Sequence, residues 1–327
     1  MTDRRHFILQ ATAACLAGAS FGLASAASTA HRNSASSFPI PPGACDCHVH
    51  VIGPQSRYPM LPDRDYTPPE ASVAALRAHL AQLGLSRVVL VQPSFYGADN
   101  ACLVDALQVL GDIARGTAVI DPSAPDETLQ ALAANRVKGV RVNLASIGQQ
   151  DPDAARGVLN SLARRIGPLG WHLEIYAASP VIAALVDEIG ALDVPVVLDH
   201  FAMIEPSKGM AQPDLPPIVE LLRSGHAYIK LSAPYLKLSA PYRISQRTPD
   251  YDDVRPLVRH LVEANPARIV WASDWPHTEH EPGDKPTISP FRHVDDARVF
   301  NQLAHWVPEP EWRQRVLVTN PTTLYDF

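Results

Sequence analysis

One pattern restricts the fold more than any other: two hydrophobic periods alternate from about residue 43 to the C-terminus. Short β-branched runs come first in each unit. They are "CDCHVHV", "SRVVLVQPS", "GTAVID", "GVRVNL", "WHLEIY", "VPVVLDH", "AYIKLS" and "RIVWAS". Between them stand "EASVAALRAHLAQLG", "NACLVDALQVLG", "ARGVLNSLARRIG", "PVIAALVDEIG" and "DVRPLVRHLVEAN". Their apolar residues recur at i, i+3, i+4 and i+7, the spacing of one helix face. Asp99 or Asn100 is placed to cap the second helix, and Gly84 and Gly111 to close the first two. Eight strands, each followed by a helix, predict an α/β chain folded as a single (β/α)8 TIM barrel. A doubly wound open sheet would want a glycine-rich first turn, which "DCHVHVIGP" does not supply.

The N-terminus does not follow this pattern. Arg4 and Arg5 stand before an apolar run that ends at Ala24-Ser25-Ala26. Residues 1–26 read as a twin-arginine signal peptide with an A-x-A cleavage pattern. Ser, Ala and Pro dominate 27–42, which reads as a disordered linker. The barrel is expected over 43–327. A twin-arginine signal implies the export machinery as a partner and a periplasmic or secreted location. The apolar run is too short and too rich in Ala and Gly for stable membrane insertion. Cys45, Cys47 and Cys102 would remain after cleavage. Their odd number in an oxidising compartment suggests buried thiols, not a disulfide framework.

Composition narrows the function. Apolar residues make up 46% and charged residues 19%, as in a packed domain. The net charge is −6, with no basic block, which argues against nucleic acid as a partner. From residue 43 onward the sequence has no G-x-S-x-G, Walker loop, H-E-x-x-H or Cys-x-x-Cys.

Active sites of such barrels sit at the C-terminal strand ends. There the sequence places His48 and His50, Pro93-Ser94, Asp121, Arg141 and Asn143, Tyr176, Asp199-His200 and Asp274. Side chains alternate along a strand, so Asp46, His48 and His50 should face inward and Cys45, Cys47 and Val49 outward. Three imidazoles and the Asp274 carboxylate could then hold one zinc ion or form an acid/base set without metal. His172 falls low on its strand and reads as a core histidine. Arg141 is a lone cation among apolar neighbours. It needs a buried partner, Asp121 or Glu174, or it clamps a substrate carboxylate, the reading preferred here. The expected fourth strand, "GVRVNL", offers no Lys or Glu to bridge two metals.

Several stretches together resemble the amidohydrolase-related branch of the amidohydrolase superfamily, and within it the pyrone-dicarboxylate and sugar-lactone enzymes. They are "DCHVHVIGP", "RYPMLPDRDYTPPEAS", "QPSFYGADN", "GVRVNL", "VVLDHFA", "KLSAPYRIS", "ASDWPH" and "NPTTLYDF". The resemblance implies a (β/α)8 barrel and lactone hydrolysis without a divalent metal or other cofactor. By motif, Asp274 would be the general base, and His48, His50 and His200 would polarise the lactone carbonyl. Arg141, Tyr66, Ser94, Tyr176, Arg243 and His277 would orient the substrate. Two departures bear on the substrate. Met203 stands where a second basic residue would help, which favours a monoanionic or neutral lactone. A direct repeat, "KLSAPYL" at 230–236 and "KLSAPYR" at 237–243, adds seven residues at strand seven. One copy should complete the strand and the other loop out, which displaces Arg243. The rival expectations are a mononuclear zinc hydrolase or decarboxylase using His48, His50, His200 and Asp274, a lactone isomerase, and a non-catalytic binding protein.

Overall fold

The computed structural model describes residues 36–144, 151–232, 245, 247–279 and 287–327. Eight parallel strands form one sheet in the order β1 to β8. They are β1 Cys45–Val49, β2 Arg87–Val91, β3 Ala114–Ala118, β4 Val137–Asn143, β5 His172–Tyr176, β6 Val196–Leu198, β7 Ala227–Leu231 and β8 Ile269–Trp271. Every run expected to be a strand contains one; most are trimmed at their ends, while β3 and β4 begin two residues earlier than expected. The helices are α1 Val73–Leu83, α2 Ala101–Leu110, α3 Asp126–Ala134, α4 Pro152–Ile166, α5 Ser179–Ala184, α6 Val186–Gly190, α7 Leu215–Ser224, α8 Arg255–Ala264, α9 Asp296–Trp306, α10 Pro310–Gln314 and α11 Asn320–Tyr325.

Strands β1 and β8 meet just above their ends. Asp274 N donates to His48 O at 3.0 Å, and His50 N donates to Trp275 O at 2.8 Å. The sheet thus closes into the expected (β/α)8 barrel, and the closing bonds join the two segments that carry His48, His50 and Asp274. Gly84 (φ 71°) and Gly111 (φ 68°) end α1 and α2 as expected. Asp99 Oδ1 accepts from Ala101 N at 3.0 Å. Asn100 instead spends its amide on Ala98 O and Val119 O.

Strict alternation fails on β1. Asp46 pairs with Val88 and Val49 with Leu90, so three steps on β1 match two on β2. That extra residue is a bulge, and it lets Cys47 and His48 both point inward. Cys45 and Cys47 pack with Val89, Val91, Val197, Tyr228, Val270 and Ala272, side chains from β1, β2, β6, β7 and β8 that share only the barrel interior. Leu324 and Tyr325 belong to the same cluster and close the barrel floor. Asp46 points the other way, where His79 of α1 meets its Oδ2 at 3.2 Å. The expected faces of Asp46 and of the two cysteines are therefore reversed, while those of His48 and His50 hold.

Cys45, Cys47 and Cys102 are buried free thiols. The last part of the expected linker is packed: Phe38 is buried, with its ring 5.2 Å from that of Phe300. Among the described residues, no helix is long and apolar enough to cross a membrane. The signal stretch, the linker up to residue 35 and Arg243 lie outside the described residues.

Candidate active site

Three atoms converge at the mouth of the barrel. His48 Nε2 lies 3.6 Å from Asp274 Oδ1, and His50 Nε2 lies 3.5 Å from the same oxygen. All three residues are buried. The rings of His48 and His50 stand edge to face with centroids 4.9 Å apart. His200, at the end of β6, brings its ring to 4.9 Å from His48, and Tyr176 packs edge-on to His200 at 5.4 Å. The four residues expected to carry the chemistry thus share one site.

The backbone around them is unusual. Asp274 has φ 67°, and His200, Phe201, Ala202 and Met203 form a run with φ between 48° and 57°. L-residues adopt this left-handed region at a cost, so burial and hydrogen bonds must hold them there. Phe201 and Ala202 are fully buried, and the hydrogen bond from Asp274 N to His48 O pins the second segment.

Beneath the three converging atoms lies a layer of charge that sequence reasoning largely missed. Lys230 of β7 is fully buried, with Nζ 3.0 Å from His48 Nδ1 and 3.3 Å from Asp199 Oδ1. It also donates to Glu174. Arg141 of β4 donates through Nε and Nη2 to Asp199 Oδ2 at 3.0 and 2.9 Å, and its Nε lies 3.5 Å from Glu174. Two cations therefore face two carboxylates in the core, the pairing that buried charge requires. Burial alone would raise the Glu174 and Asp199 carboxyls. Asp199 adds to that rise at Glu174, but Lys230 together with His172 and His48 outweighs both there, and Lys230 with Arg141 and His48 outweighs burial at Asp199. Glu174 ends below its usual range and Asp199 far below. Burial first, and then the Lys230 charge, lower His48 to about 4, so its ring is neutral at pH 7.

Arg141 has a buried partner, the alternative the sequence set beside a substrate clamp. Its Nε and Nη2 are committed to Asp199, so that edge cannot grip a substrate carboxylate. Asp121 is not its partner: it is exposed three residues beyond β3 and accepts from Ser123. Lys230 had the same sequence signal as Arg141, a cation inside an apolar strand, and "AYIKLS" could have yielded it. The first repeat copy supplies Lys230 and Leu231 to β7 and Ser232 just beyond it. Ser232 Oγ lies 2.8 Å from His200 Nδ1.

The remaining expected substrate residues lie around this centre. Tyr66 bonds Thr278 at 3.2 Å and Ser94. The Tyr176 ring lies under the Arg141 guanidinium at 5.2 Å. His277 donates or accepts through Nε2 at 2.7 Å to Asp296, whose carboxyl is ionised, so Nε2 carries the hydrogen. His172 sits low, as expected, with Nε2 3.3 Å from Thr117 and its ring against Tyr325.

Ring tautomers decide what these groups can do. His50 Nδ1 lies 2.8 Å from Val91 O, and a carbonyl only accepts. Nδ1 therefore bears a hydrogen, and whenever the ring is neutral Nε2 presents a lone pair to the site. At His48 the nearest partner of Nδ1 is an ammonium, which only donates, so the hydrogen of the neutral ring goes to Nε2. His48, His50 and Asp274 offer ligand atoms all within 4.8 Å of one another, a spacing that suits zinc. The donor chemistry does not suit it, because a metal needs the lone pair of His48 Nε2 and the Lys230 contact puts a hydrogen there.

A parallel (β/α)8 barrel with paired histidines on β1, a histidine after β6 and an aspartate after β8 defines an amidohydrolase-type hydrolase. The chain belongs to the amidohydrolase family, whose model matches residues 45–327. It is 34% identical over 294 residues to the 4-sulfomuconolactone hydrolase of Hydrogenophaga intermedia, covering 88% of this chain and 90% of that one. It is 35% identical over 293 residues to the 2-pyrone-4,6-dicarboxylate hydrolase of Comamonas testosteroni, covering 88% and 92%. A solved structure from Acinetobacter baumannii, a probable 2-pyrone-4,6-dicarboxylic acid hydrolase with citric acid bound, matches with a TM-score of 0.70 and 26% identity. That match covers 87% of this chain and 100% of the other.

Proposed function

We propose that this enzyme hydrolyses a lactone bearing an acidic group, with Asp274 as general base and no metal. The observation that carries the reading is the set of three buried atoms, one of which gives a hydrogen while two accept. A water between Asp274 Oδ1 and His50 Nε2 gives a hydrogen to each. As its oxygen adds to the lactone carbonyl carbon, Asp274 takes its proton. The carbonyl oxygen, becoming an oxyanion, accepts from His48 Nε2–H, with His200 beside it. The ring C–O bond then breaks, and the proton on Asp274 passes to the leaving ring oxygen. His50 here serves as an acceptor, since the lone pair on its Nε2 cannot polarise a carbonyl.

The names of the relatives support a lactone carrying sulfonate or carboxylate. The commitment of Arg141 to Asp199 supports a substrate of lower charge than a dianion. Export through the twin-arginine pathway to the periplasm or beyond belongs to the same proposal and rests on Arg4, Arg5 and the Ala24-Ser25-Ala26 site. The test is a hydrolysis screen of 4-sulfomuconolactone, 2-pyrone-4,6-dicarboxylate and neutral sugar lactones with the wild type and Asp274→Asn. Removal of the base should lower kcat by about 10²- to 10⁴-fold. Undiminished turnover in Asp274→Asn would refute the mechanism, and opening of no lactone by the wild type would refute the function.

A further inference from the structure

We propose that Lys230 is a positioning residue that fixes the tautomer of His48, and so decides whether this site works by hydrogen bonding or as a metal centre. The inference rests on the metal-independent reading above and deepens it. Lys230 is buried completely, and its three contacts are Glu174, Asp199 Oδ1 at 3.3 Å and His48 Nδ1 at 3.0 Å. An ammonium has hydrogens and no lone pair, so it only donates. The imidazole nitrogen that faces it must accept. Asp199 Oδ1 competes for the same nitrogen from 3.3 Å, and Glu174 Oε1 stands at 3.6 Å. Both would draw the ring hydrogen to Nδ1 if Lys230 were gone. Nε2 would then present a lone pair beside those of His50 Nε2 and Asp274 Oδ1. That donor set is the one a zinc ion takes in a hydrolase, with each ring nitrogen opposite the metal bonded to an oxygen acceptor. A single lysine on β7 thus separates two chemistries on one scaffold.

Histidine-selective ¹⁵N labelling of the full protein tests this at pH 7, with the His48 signals assigned by their loss in His48→Gln. The wild type should carry its hydrogen on Nε2, and Lys230→Met should carry it on Nδ1. With zinc chloride as the probe, Lys230→Met should bind at least ten-fold more tightly than the wild type. Without metal, its turnover of the best lactone from the screen should fall about 10²-fold at little-changed KM, the loss expected when an oxyanion donor is removed. A wild-type spectrum with the hydrogen on Nδ1 overturns the proposal, and this measurement holds even if Lys230→Met does not fold. An unchanged tautomer in folded Lys230→Met also overturns it. Chelator-sensitive wild-type turnover with the hydrogen on Nε2 would remove the metal-independent reaction and overturn the claim that this tautomer keeps a metal out, leaving only the tautomer assignment standing.

Discussion

Behind the site, a chain of alternating acids and imidazoles crosses from the barrel to the helix layer, and it predicts an unusual pH dependence of stability. Asp46 Oδ1 accepts from Ser273 N at 2.9 Å, and its Oδ2 meets His79 Nε2 at 3.2 Å. His79 Nδ1 lies 3.4 Å from Asp296 Oδ2, and Asp296 Oδ1 lies 2.7 Å from His277 Nε2. A ring with a carboxylate at each nitrogen is an imidazolium. Burial would lower the His79 pKa, but Asp296 and Asp46 outweigh burial and raise it from 6.5 to about 9. The same contacts hold Asp296 far below the usual carboxylate range against its own burial. At 1.36 kcal/mol per unit, the His79 shift contributes about 3 kcal/mol to folding. Below pH 6.5 both folded and unfolded chains carry the charge, and the contribution is complete. Between 6.5 and 9 only the folded state keeps the proton, so stability falls as pH rises. Above 9 the contribution is gone. Urea unfolding of the wild type and His79→Gln at pH 6, 7, 8, 9 and 10 measures this directly. The wild-type advantage should shrink by about 3 kcal/mol across that range. An advantage that stays flat with pH would refute the imidazolium assignment.

Three further outcomes follow. Arg141→Met strips Asp199 and Glu174 of a buried partner and should cost about 3–5 kcal/mol in urea unfolding; unchanged stability with a raised KM would restore the clamp. His48 behaves opposite to His79: its folded value near 4 lies below the unfolded 6.5, so it costs stability as pH falls from 6.5 through 4. His48→Gln should relieve part of that acid lability, about 3 kcal/mol at most, and an identical acid midpoint in both proteins would count against a neutral buried ring. N-terminal sequencing of exported protein should begin at Ala27, with export abolished in Arg4→Lys/Arg5→Lys; secretion unaffected by that change would exclude the twin-arginine route.

Much of this architecture is legible in sequence because it follows from local periods. The eight strand and helix units read directly from their spacing of apolar residues, and the strand-end rule gathered His48, His50, His200 and Asp274. What escaped depends on geometry that no local pattern records. The β1 bulge adds one residue without changing composition, yet it reverses Asp46 and the two cysteines. Of the two partners the sequence offered Arg141, Glu174 lies 3.5 Å away, but β3 ends at Ala118 and leaves Asp121 outside the barrel, while Asp199 reaches Arg141 from β6 across β5. His79 looked like any residue of an amphipathic helix until α1 placed it between Asp46 and Asp296. Lys230 was the avoidable omission, since a lysine within an apolar strand demands buried partners on the same grounds as Arg141.

The most direct test of the central claim is metal content and turnover measured on the same sample. The mature protein, purified without added metal, is analysed for bound zinc, manganese and iron, and the hydrolysis of its best lactone is followed before and after exhaustive chelation. Hydrogen bonding from His48 with Asp274 as base predicts far less than one metal per chain and turnover unchanged by the chelator. One tightly held zinc per chain, with activity lost on its removal and restored by its return, would contradict that account.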